Sequence, residues 1–415
     1  MKDRIIKNID DNYLVFFPSN GYFKICSNEI EAKNVINYNR TLKKINRKQA
    51  PSMYTIHITN RCNLRCKYCF SKSESENNID MNKSTIELII KKIVSSPIKK
   101  LCIDFHGGEP LLRFDLIKYT LLLCEKYLFD REITYTIQTN ATLINEEVCK
   151  LFKQKKFNVG ISLDGPASIH NQNRIYPTGN GSFNQVLKKI KLLKKNGIPF
   201  SIISVVTKTE EMYQMYDFFV KNDIRKVKFM PVMPQGRAKK EIIDLNKYAD
   251  IESELLLKEI HSNNPILLMS SYIMLRKMIC VDNSYMCMRN PCGAGINIIS
   301  FDEYGNIFPC DSMSGIDNID KLSFGNVCNK ELNISQTPTW KEITNIKISS
   351  ITPCNTCQYR NICCGGCKSD VLNFYGNFYH PSPLCLYYKK ILDNYYTMIT
   401  RYSKKIIDYM QLFSQ

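Results

Sequence analysis

Residues 53–69 read MYTIHITNRCNLRCKYC, and this segment indicates the class of fold. Its beginning has the apolar and β-branched composition of a strand. The loop that follows carries three cysteines with the spacing C-x3-C-x2-C. Further strand-like runs occur at residues 101–105, 133–138, 158–163, 200–206 and 227–232. Helical patterns occur near residues 83–94, 114–129, 145–155, 183–195, 210–221 and 247–260.

The alternation of strands and helices predicts parallel βαβ units in a sheet that is buried on both faces. Six units are too few for a closed eight-stranded barrel, so we expect an α/β fold with a partial (β/α)6 TIM-like barrel. Unusual loops follow the strands: the cysteine loop, HGGEP at 106–110, TNATL at 139–143 and LDGP at 163–166. Such loops build the active sites of parallel α/β folds, so the site is predicted at this edge of the sheet.

The chain is predicted to have four parts, with boundaries at residues 1–50, 51–264, 265–385 and 386–415. The first is a short α+β extension, with two strands in residues 13–25 and a helix near 28–37. The second is the partial barrel. The third begins where the strand–helix repeat stops, contains a hairpin over 296–310, and is dense in cysteine and glycine. Metal clusters are expected to hold this third part together, and the fourth is a terminal helix.

The composition, 44% hydrophobic and 23% charged in 415 residues, is that of an ordinary globular chain. No apolar stretch is long enough to span a bilayer, and the N-terminus lacks the apolar core of a signal peptide. We therefore expect a cytoplasmic protein with no membrane partner. The net charge of +18 favours acidic partners, but lysine-rich runs such as residues 188–195 also suit the solvated faces of helices.

Eighteen cysteines in a reducing compartment indicate metal or redox chemistry rather than disulfides. Some stand alone in strand-like or helical runs and are expected to be structural: Cys26, Cys102, Cys124 and Cys149. Cys62, Cys66 and Cys69 lie close together instead. Three thiolates can hold three irons of a 4Fe-4S cubane and leave the fourth iron open to another ligand. A zinc site or a ferredoxin-type cluster is the alternative, and each normally takes four protein ligands.

The cysteine loop, HGGEP and SLDGP (residues 162–166) together resemble the radical S-adenosylmethionine (SAM) superfamily, over residues 53–234. The resemblance implies that the open iron chelates the amino and carboxylate groups of SAM. Reductive cleavage of SAM then yields a 5′-deoxyadenosyl radical. The glycines of HGGEP would let the backbone approach the cofactor closely. The expected cofactor-binding residues are Tyr68, Gly107, Gly108, Glu109, Asn140, Ser162 and Arg174.

The later cysteines show a second pattern. CGAG at residues 292–295 leads to Cys310, and a C-x2-C-x5-C-x3-C run from Cys354 is followed by Cys385. This pattern resembles the SPASM extension of peptide- and protein-modifying radical SAM enzymes, with a pair of zinc ribbons as the alternative. Residues 265–385 are therefore expected to form an iron–sulfur SPASM domain with two auxiliary 4Fe-4S clusters. The ligands that the resemblance implies are Cys287, Cys292, Cys310 and Cys367 for one cluster, and Cys354, Cys357, Cys363 and Cys385 for the other. Cys280, Cys328 and Cys364 fall outside the pattern, and Cys364 is expected to be structural.

The expected function is that of an enzyme, a radical SAM peptide maturase. The resemblance implies that auxiliary clusters take up the second electron of an oxidation, which suits thioether or other crosslink formation in a ribosomally synthesised precursor peptide. A strand edge of the N-terminal extension is expected to bind a leader peptide by β-addition. The expected electron donor is a low-potential protein such as flavodoxin or ferredoxin.

Two other functions stay open. Asp311 directly follows Cys310. In anaerobic sulfatase-maturating enzymes an aspartate in this place takes a proton from the substrate, so Asp311 is the expected catalytic residue, with a raised pKa suited to that task. This favours formylglycine formation from Cys or Ser, although the N-terminal extension argues against it. The net charge prompts a third function, modification of tRNA or another nucleic acid, but the sequence contains no recognisable RNA-binding module and we do not expect this partner.

Overall fold

The computed structural model describes residues 4–36, 50–71, 78–238, 243–280, 284–314 and 322–414. The strands are β1 (Ile5–Ile9), β2 (Asn12–Phe17), β3 (Tyr22–Cys26), β4 (Met53–Thr59), β5 (Lys100–Gly107), β6 (Glu132–Thr139), β7 (Asn158–Ser162), β8 (Phe200–Val206), β9 (Lys226–Pro231), β10 (Leu267–Leu268), β11 (Ile298–Phe301), β12 (Asn306–Phe308) and β13 (Gly325–Asn326). The helices are α1 (Glu29–Asn34), α2 (Lys83–Val94), α3 (Phe114–Tyr127), α4 (Glu146–Gln154), α5 (Ala167–Asn173), α6 (Phe183–Lys195), α7 (Met212–Lys221), α8 (Leu245–Glu259), α9 (Met269–Cys280), α10 (Asp311–Ser314), α11 (Pro338–Asn345), α12 (Arg360–Cys363), α13 (Lys368–Tyr375) and α14 (Cys385–Leu412).

The main sheet has the strand order β10-β9-β8-β7-β6-β5-β4-β11-β12-β13. Strands β4 to β9 are parallel and neighbour one another in chain order, which confirms the predicted partial barrel. Among the described strands, β10 and β13 end the sheet at opposite edges, so the barrel is open. Ile56 and Ile58 of β4 are fully buried, as the interior of a parallel sheet requires.

The cysteine-dense region adds strands to this sheet, which the sequence did not predict. Strand β11 runs parallel to β4, with Ile298 opposite Met53 and Phe301 opposite Ile56. Strands β12 and β13 then continue the sheet in antiparallel pairs. The edge of β4 would otherwise leave backbone groups unpaired, and the apolar run IISF pairs with it. This pairing brings the end of β12, and Cys310 after it, beside the barrel.

Helices cover the sheet by the ordinary amphipathic rule. In α2, Ile86, Ile89, Ile90 and Ile93 are buried, which is the i, i+3, i+4, i+7 spacing of one helix face. The helix begins where the side chain of Asn82 accepts a hydrogen bond from the backbone N–H of Thr85. Burial of one apolar face and a capped first turn therefore fix α2 at its predicted position.

The N-terminal extension is a three-stranded antiparallel sheet, β1-β2-β3, followed by α1. The predicted pair of strands is confirmed as β2 and β3, whereas β1 was missed because its residues alternate between half-buried and exposed. The sheet packs against α14: the rings of Phe16 and Phe23 lie 5.0 and 5.5 Å from that of Tyr396. The predicted helix near residues 28–37 is α1, and the basic linker after it lies outside the described residues.

A buried carboxyl joins the three helices that close the C-terminal side of the barrel. Glu252 of α8 accepts hydrogen bonds from Tyr387 of α14 (2.9 Å) and Ser271 of α9 (3.1 Å). Burial raises the pKa of Glu252 to about 7, and both hydrogen bonds oppose that rise. The folded protein therefore holds a proton here that an unfolded chain releases near its ordinary pKa of 4.5.

Glu252→Gln is expected to remove a pH dependence of stability. Because the folded-state pKa is raised, the free energy of unfolding of the unmodified protein falls as the pH rises from about 5 to about 7, by about 1–3 kcal/mol. The amide variant lacks the contribution of Glu252 and keeps that of Glu109, whose pKa is raised in the same way, so its slope should be smaller. Urea unfolding at both ends of that range measures it, with Glu254→Gln as the control because Glu254 lies exposed on the same helix. Equal slopes in Glu252→Gln and the unmodified protein would contradict the assignment.

Within the described part of the chain, the helices include none with the combined length and apolar character needed to cross a bilayer.

Candidate active site

The cysteine loop, residues 60–71, follows β4 and brings its three cysteines together. The thiols of Cys66 and Cys69 are close enough to Cys62 to raise its pKa, and burial, the larger cause, brings that pKa to about 12; Cys69 likewise raises the pKa of Cys66. The segment after β9 anchors the loop: Arg237 donates from Nε to the carbonyl of Cys66 (2.7 Å) and from its backbone N–H to that of Cys69 (3.0 Å). Three grouped thiols on a fixed backbone suit a three-thiolate cluster site.

Glycines let neighbouring loops approach this backbone. A Cβ at Gly107 would lie 2.2 Å from the carbonyl oxygen of Thr59, and a Cβ at Gly108 would lie 2.1 Å from that of Arg61. A Cβ at Gly236 would lie 2.2 Å from the carbonyl oxygen of Cys69. The sequence explains the HGGEP glycines by the close approach of a cofactor. The structure adds a different reason, because the backbone that needs the missing side chains of Gly107 and Gly108 is the end of β4 and the start of the cysteine loop.

Glu109 ties the loops after β5 and β6 together. Its carboxylate accepts hydrogen bonds from the Thr139 hydroxyl (2.6 Å) and from the backbone N–H groups of Asn140 (2.7 Å) and Leu111 (3.1 Å). Burial raises the pKa of Glu109 to about 7, against the effect of these donors. The Asn140 amide in turn donates to Asn63 (2.9 Å) and lies 3.9 Å from the sulfur of Cys62. The expected cofactor residues Glu109 and Asn140 thus hold the cysteine loop from one side.

The aromatic and basic cofactor residues meet on Asp164. Arg174 donates from Nε to this carboxylate at 3.0 Å, and the hydroxyl of Tyr68 donates to the same oxygen. The guanidinium lies 5.2 Å from the centre of the Tyr68 ring, a cation–π arrangement. The backbone N–H of Val205 supplies a further bond to Asp164 (3.0 Å). Asp164 therefore orients Tyr68 and Arg174, while Ser162, at the end of β7, accepts from the amide of Gln138 (3.1 Å).

Two histidines flank Asp311, and sequence reasoning missed both. Nε2 of His57, on β4, lies 2.8 Å from the Asp311 carboxylate, and Nδ1 of His106, on β5, lies 3.5 Å from the same oxygen. The hydroxyl of Ser314 lies 3.3 Å from the same nitrogen of His57. Aligned ends of β4 and β5 beside the strand pair β11–β12 create this cluster. A signal existed, since His57 and His106 stand near the ends of neighbouring parallel strands.

The charge state of Asp311 differs from our expectation. Burial favours the neutral carboxyl, but interaction with His106 and the hydrogen bond from His57 outweigh it and hold the pKa of Asp311 below its ordinary value. The raised pKa predicted from the sequence was wrong, because two imidazoles near this carboxylate were not foreseen. Burial lowers the pKa of His57, yet the contact with Asp311 prevails and raises it overall. The arrangement is an ionised carboxylate paired with an imidazole of raised basicity.

The C-terminal cysteines gather into two groups with the expected membership. In the first auxiliary group the thiols interact electrostatically with one another; its members are Cys287, Cys292, Cys310 and Cys367. The second auxiliary group lines one cavity, together with Gly365, Tyr388 and other residues; its members are Cys354, Cys357, Cys363 and Cys385. The chain order interleaves, because Cys367 follows Cys363 but lies in the other group. Each group offers four thiols, the number that a fully ligated cubane needs.

Residues 56–219 match the family model of the radical SAM superfamily. The chain belongs to the radical SAM superfamily. Membership makes this radical SAM protein an enzyme, and it implies a 4Fe-4S cluster and SAM as cofactors. The three thiols of the cysteine loop suit that cluster, because they leave one of its four irons without a protein ligand.

Relatives of this radical SAM protein include named maturases. A cysteine-type anaerobic sulfatase-maturating enzyme of Clostridium novyi is 26% identical over 377 residues, which cover 87% of this chain and 99% of that protein. An uncharacterized protein of Methanocaldococcus jannaschii is 31% identical over 263 residues, which cover 63% of this chain and 85% of that protein. The similarity therefore extends well beyond the barrel.

Solved structures share the fold of this radical SAM protein. The structure of native anSMEcpe with bound AdoMet has a TM-score of 0.74 and 22% identity, covering 86% of this chain and 99% of that chain. The structure of Streptococcus suis SuiB bound to precursor peptide SuiA has a TM-score of 0.59 and 18% identity. The match covers 93% of this chain and 99% of that chain. The C-terminal cysteine-rich region thus belongs to a known architecture of radical SAM proteins.

The remaining cysteines belong to none of the three groups. Cys364 is buried, with its sulfur 3.4 Å from Nζ of Lys277 and 3.7 Å from the carbonyl of Asn361. Cys280 and Cys328 are exposed. Of the cysteines expected to be structural, Cys26, Cys124 and Cys149 are buried and Cys102 is half-buried.

Gly108→Ala is expected to displace the cysteine loop. The added Cβ would meet the backbone of Arg61, which has no flexible side chain to move aside, so Cys62 must shift. Anaerobic reconstitution should then give less SAM-dependent 5′-deoxyadenosine, by about tenfold or more. Gly179→Ala is the control, because its positive φ brings local strain but nothing lies within 4 Å of its Cβ. Equal activity of both variants would show that the glycine contact is not needed.

Proposed function

We propose that this radical SAM enzyme oxidises a side chain of a peptide substrate, and that the substrate is a ribosomally synthesised precursor peptide that acquires a thioether or other crosslink. The observation that carries the oxidation of a side chain is the position of Asp311, and the N-terminal sheet is what favours a precursor peptide as the substrate. Its carboxylate lies 3.5 Å from His106, which precedes Gly107 of the expected SAM site, and Asp311 is adjacent in sequence to Cys310 of the first auxiliary group. A proton acceptor thus lies between the two kinds of cluster site.

Three 4Fe-4S clusters are proposed. The cysteine loop would hold the SAM-binding cluster, and the two auxiliary groups would each hold one cluster with four thiolates. The grouping of buried thiols supports this, since burial raises the pKa of thiols such as Cys287, to about 11, and metal ligation is what stabilises a thiolate there. When bound, SAM and its cluster supply a radical that removes a hydrogen atom from the substrate, and the auxiliary clusters supply an acceptor for the second electron.

Residues of the chain itself are proposed to bind SAM, to orient it and to accept a proton from the substrate. Tyr68 and Arg174, held by Asp164, are proposed to contact SAM, with the guanidinium able to pair with its carboxylate. Gly107, Gly108 and Ser162 are proposed to line the same site. Asp311, ionised because two imidazoles face it, accepts the proton that a substrate thiol or hydroxyl releases when its carbon is oxidised. His57, in hydrogen-bond contact with Asp311, stabilises the carboxylate charge before the transfer.

The N-terminal sheet is proposed to dock the leader of the precursor. Among the described strands, β1 and β3 pair only with β2, so each has one edge without a partner strand. An extended peptide can add to such an edge through main-chain hydrogen bonds. Arg401 of α14 donates to Asp10 at 2.6 and 2.9 Å and thereby holds the N-terminal sheet on α14. A bound leader peptide would therefore be attached rigidly to the body of the enzyme.

A second candidate is the conversion of a sulfatase cysteine to formylglycine. It is favoured by the similarity to the Clostridium novyi maturating enzyme over 99% of that protein. In this reaction the side chain loses a hydrogen atom, a proton and an electron to give a thioaldehyde, and water then replaces the sulfur, which leaves as hydrogen sulfide. Asp311 would serve as the proton acceptor here as well. No described feature favours the nucleic-acid function.

Anaerobic turnover with two peptides separates the candidates. The reconstituted enzyme, SAM and dithionite would be combined with a short cysteine-containing peptide encoded beside the gene, leader included, or with a cysteine peptide of sulfatase type. Mass spectrometry distinguishes the loss of two hydrogen atoms in a crosslink from the replacement of sulfur by oxygen in an aldehyde. Crosslinking of the first peptide alone supports the primary proposal. Aldehyde formation in the second alone replaces it with the sulfatase function.

A further inference from the structure

Lys368 is a buried lysine that no step above uses. It is the first residue of α13, directly after Cys367, and its side chain is 3% exposed. Its Nζ is buried and has no hydrogen-bond partner in the described part of the chain. Burying an ammonium without a counter-charge is costly, so the surroundings of Lys368 must supply negative charge.

Thiols of both auxiliary groups lie near enough to interact with this ammonium. Lys368 interacts electrostatically with Cys292 and Cys367 of the first auxiliary group, and with Cys354 and Cys363 of the second. Its Nζ also lies 3.0 Å from the position that a Cβ of Gly365 would occupy, so a glycine makes room for it. Gly365 follows the second group's Cys363 and precedes the first group's Cys367 in the chain. Lys368 is therefore placed between the two sets of thiols.

Two other lysines near the cysteines differ from Lys368 in their partners. Lys228 is half-buried, donates to the hydroxyl of Tyr285 (3.2 Å) and interacts with Cys287 and Cys367, both of the first auxiliary group. Lys277 contacts Cys364, which belongs to neither group. The position of Lys368 is thus distinguished by its interactions with both groups and by the lack of a neutral hydrogen-bond acceptor.

We propose that the Lys368 ammonium is a charge partner shared by the two auxiliary clusters, and that it raises the reduction potential of both. The inference rests on the proposed function, because it requires a cluster in each auxiliary group. A reduced cluster carries one more negative charge than an oxidised one, so a fixed positive charge in a low-dielectric interior stabilises the reduced form. Lys368 thereby favours the uptake of substrate electrons by both clusters. Lys368 acts by placing a positive charge near the two clusters, and it does not touch the substrate.

The test is an EPR-monitored redox titration of Lys368→Met. It uses the full chain with Cys62, Cys66 and Cys69 replaced by alanine, so that only auxiliary clusters contribute signals. At a fixed potential, the ratio of reduced to oxidised cluster should fall about tenfold for both signals, which corresponds to about 59 mV for one electron. Lys368→Arg keeps the charge and should titrate as the parent does. A shift of neither signal or of only one, or an equal shift in Lys368→Arg, overturns the proposal.

Two control variants separate shared from single contacts. Lys228→Met should shift one signal and leave the other, which also identifies the first cluster. Lys389→Met should shift only the other signal, because Lys389 lies at the surface beside the second auxiliary group and interacts with its Cys354 and Cys385. If Lys368→Met loses its iron, Lys368→Gln is titrated by the same criteria. Iron retention in Lys368→Arg but in neither uncharged variant supports the charge role, and loss in all three overturns it.

Iron content keeps this test apart from the proposed function. The parent with the three alanines should bind about eight iron atoms per chain. A parent without auxiliary signals rejects the auxiliary clusters themselves. If the parent binds about eight irons and gives two signals, and replacement of Lys368 leaves both reduction potentials unchanged, only the role of the lysine is rejected.

Discussion

Replacement of Cys62, Cys66 and Cys69 together by alanine is expected to abolish the formation of 5′-deoxyadenosine from SAM, while most of the bound iron remains. The three thiols are the only protein ligands proposed for the SAM-binding cluster, and without them no iron vertex is left open to SAM. The two auxiliary groups lie elsewhere in the fold and keep their thiols. Chromatography of 5′-deoxyadenosine after anaerobic incubation with dithionite, together with iron and sulfide content, measures both effects.

A matched control comes from cysteines outside every group. Cys280 and Cys328 are exposed, and their replacement by alanine should leave iron content and SAM cleavage unchanged. The unmodified chain should hold about twelve iron atoms, and the triple variant about eight. Continued SAM cleavage by the triple variant would show that the reactive cluster lies elsewhere. A fall to no iron at all would mean that the loop is needed for the whole fold.

Asp311→Asn is expected to separate SAM cleavage from substrate oxidation. The amide cannot accept a proton, so formation of the oxidised peptide should fall about 10²- to 10⁴-fold, the usual range for loss of a general base. The cysteine loop and the residues around Asp164 remain intact, so 5′-deoxyadenosine should still form. The ratio of modified peptide to 5′-deoxyadenosine is the decisive measurement. Asp408→Asn, at an exposed position of α14, is the control.

An unchanged product ratio in Asp311→Asn would remove Asp311 from the proton transfer. The His57 contact offers a second measurement, because His57→Gln keeps a hydrogen-bond donor beside Asp311 but removes the imidazole. This variant should retain part of the coupling that Asp311→Asn loses. Equal loss in both variants would indicate that the imidazole itself carries the proton, with Asp311 as its orienting partner.

The order of strands and helices could be predicted from local patterns. The runs in β4 to β9 are short and apolar, and α2 or α4 has buried residues at helical spacing, so each element is recognisable without its neighbours. Besides β1, two of the strands that were missed are very short. Strand β10 has two residues, and β13 is the pair Gly325–Asn326, for which no local preference for extended structure exists.

The features of the candidate site also divide into those that local sequence predicts and those that it does not. The spacing of the cysteines indicates metal ligation because the ligands are close in sequence. The loops that follow the strands indicate that the site lies at one edge of the sheet. The roles of His57 and Asp164 were not recognisable, because their partners Asp311 and Arg174 come from other segments of the chain. The sign of the pKa shift of Asp311 was wrong for that reason: a charge balance depends on distances between segments.

Local sequence alone was therefore enough for the family, for the open α/β barrel and for the choice of the cysteines that are proposed to bind iron, since these depend on periodicity and short-range spacing. Long-range packing was needed for the pairing of β11 with β4, the meeting of Asp311 with two histidines, and the place of Lys368 between the auxiliary groups. Each of these joins residues far apart in the chain. Electrostatic interaction and hydrogen bonding act over a few ångströms of space, and only the folded chain sets those distances.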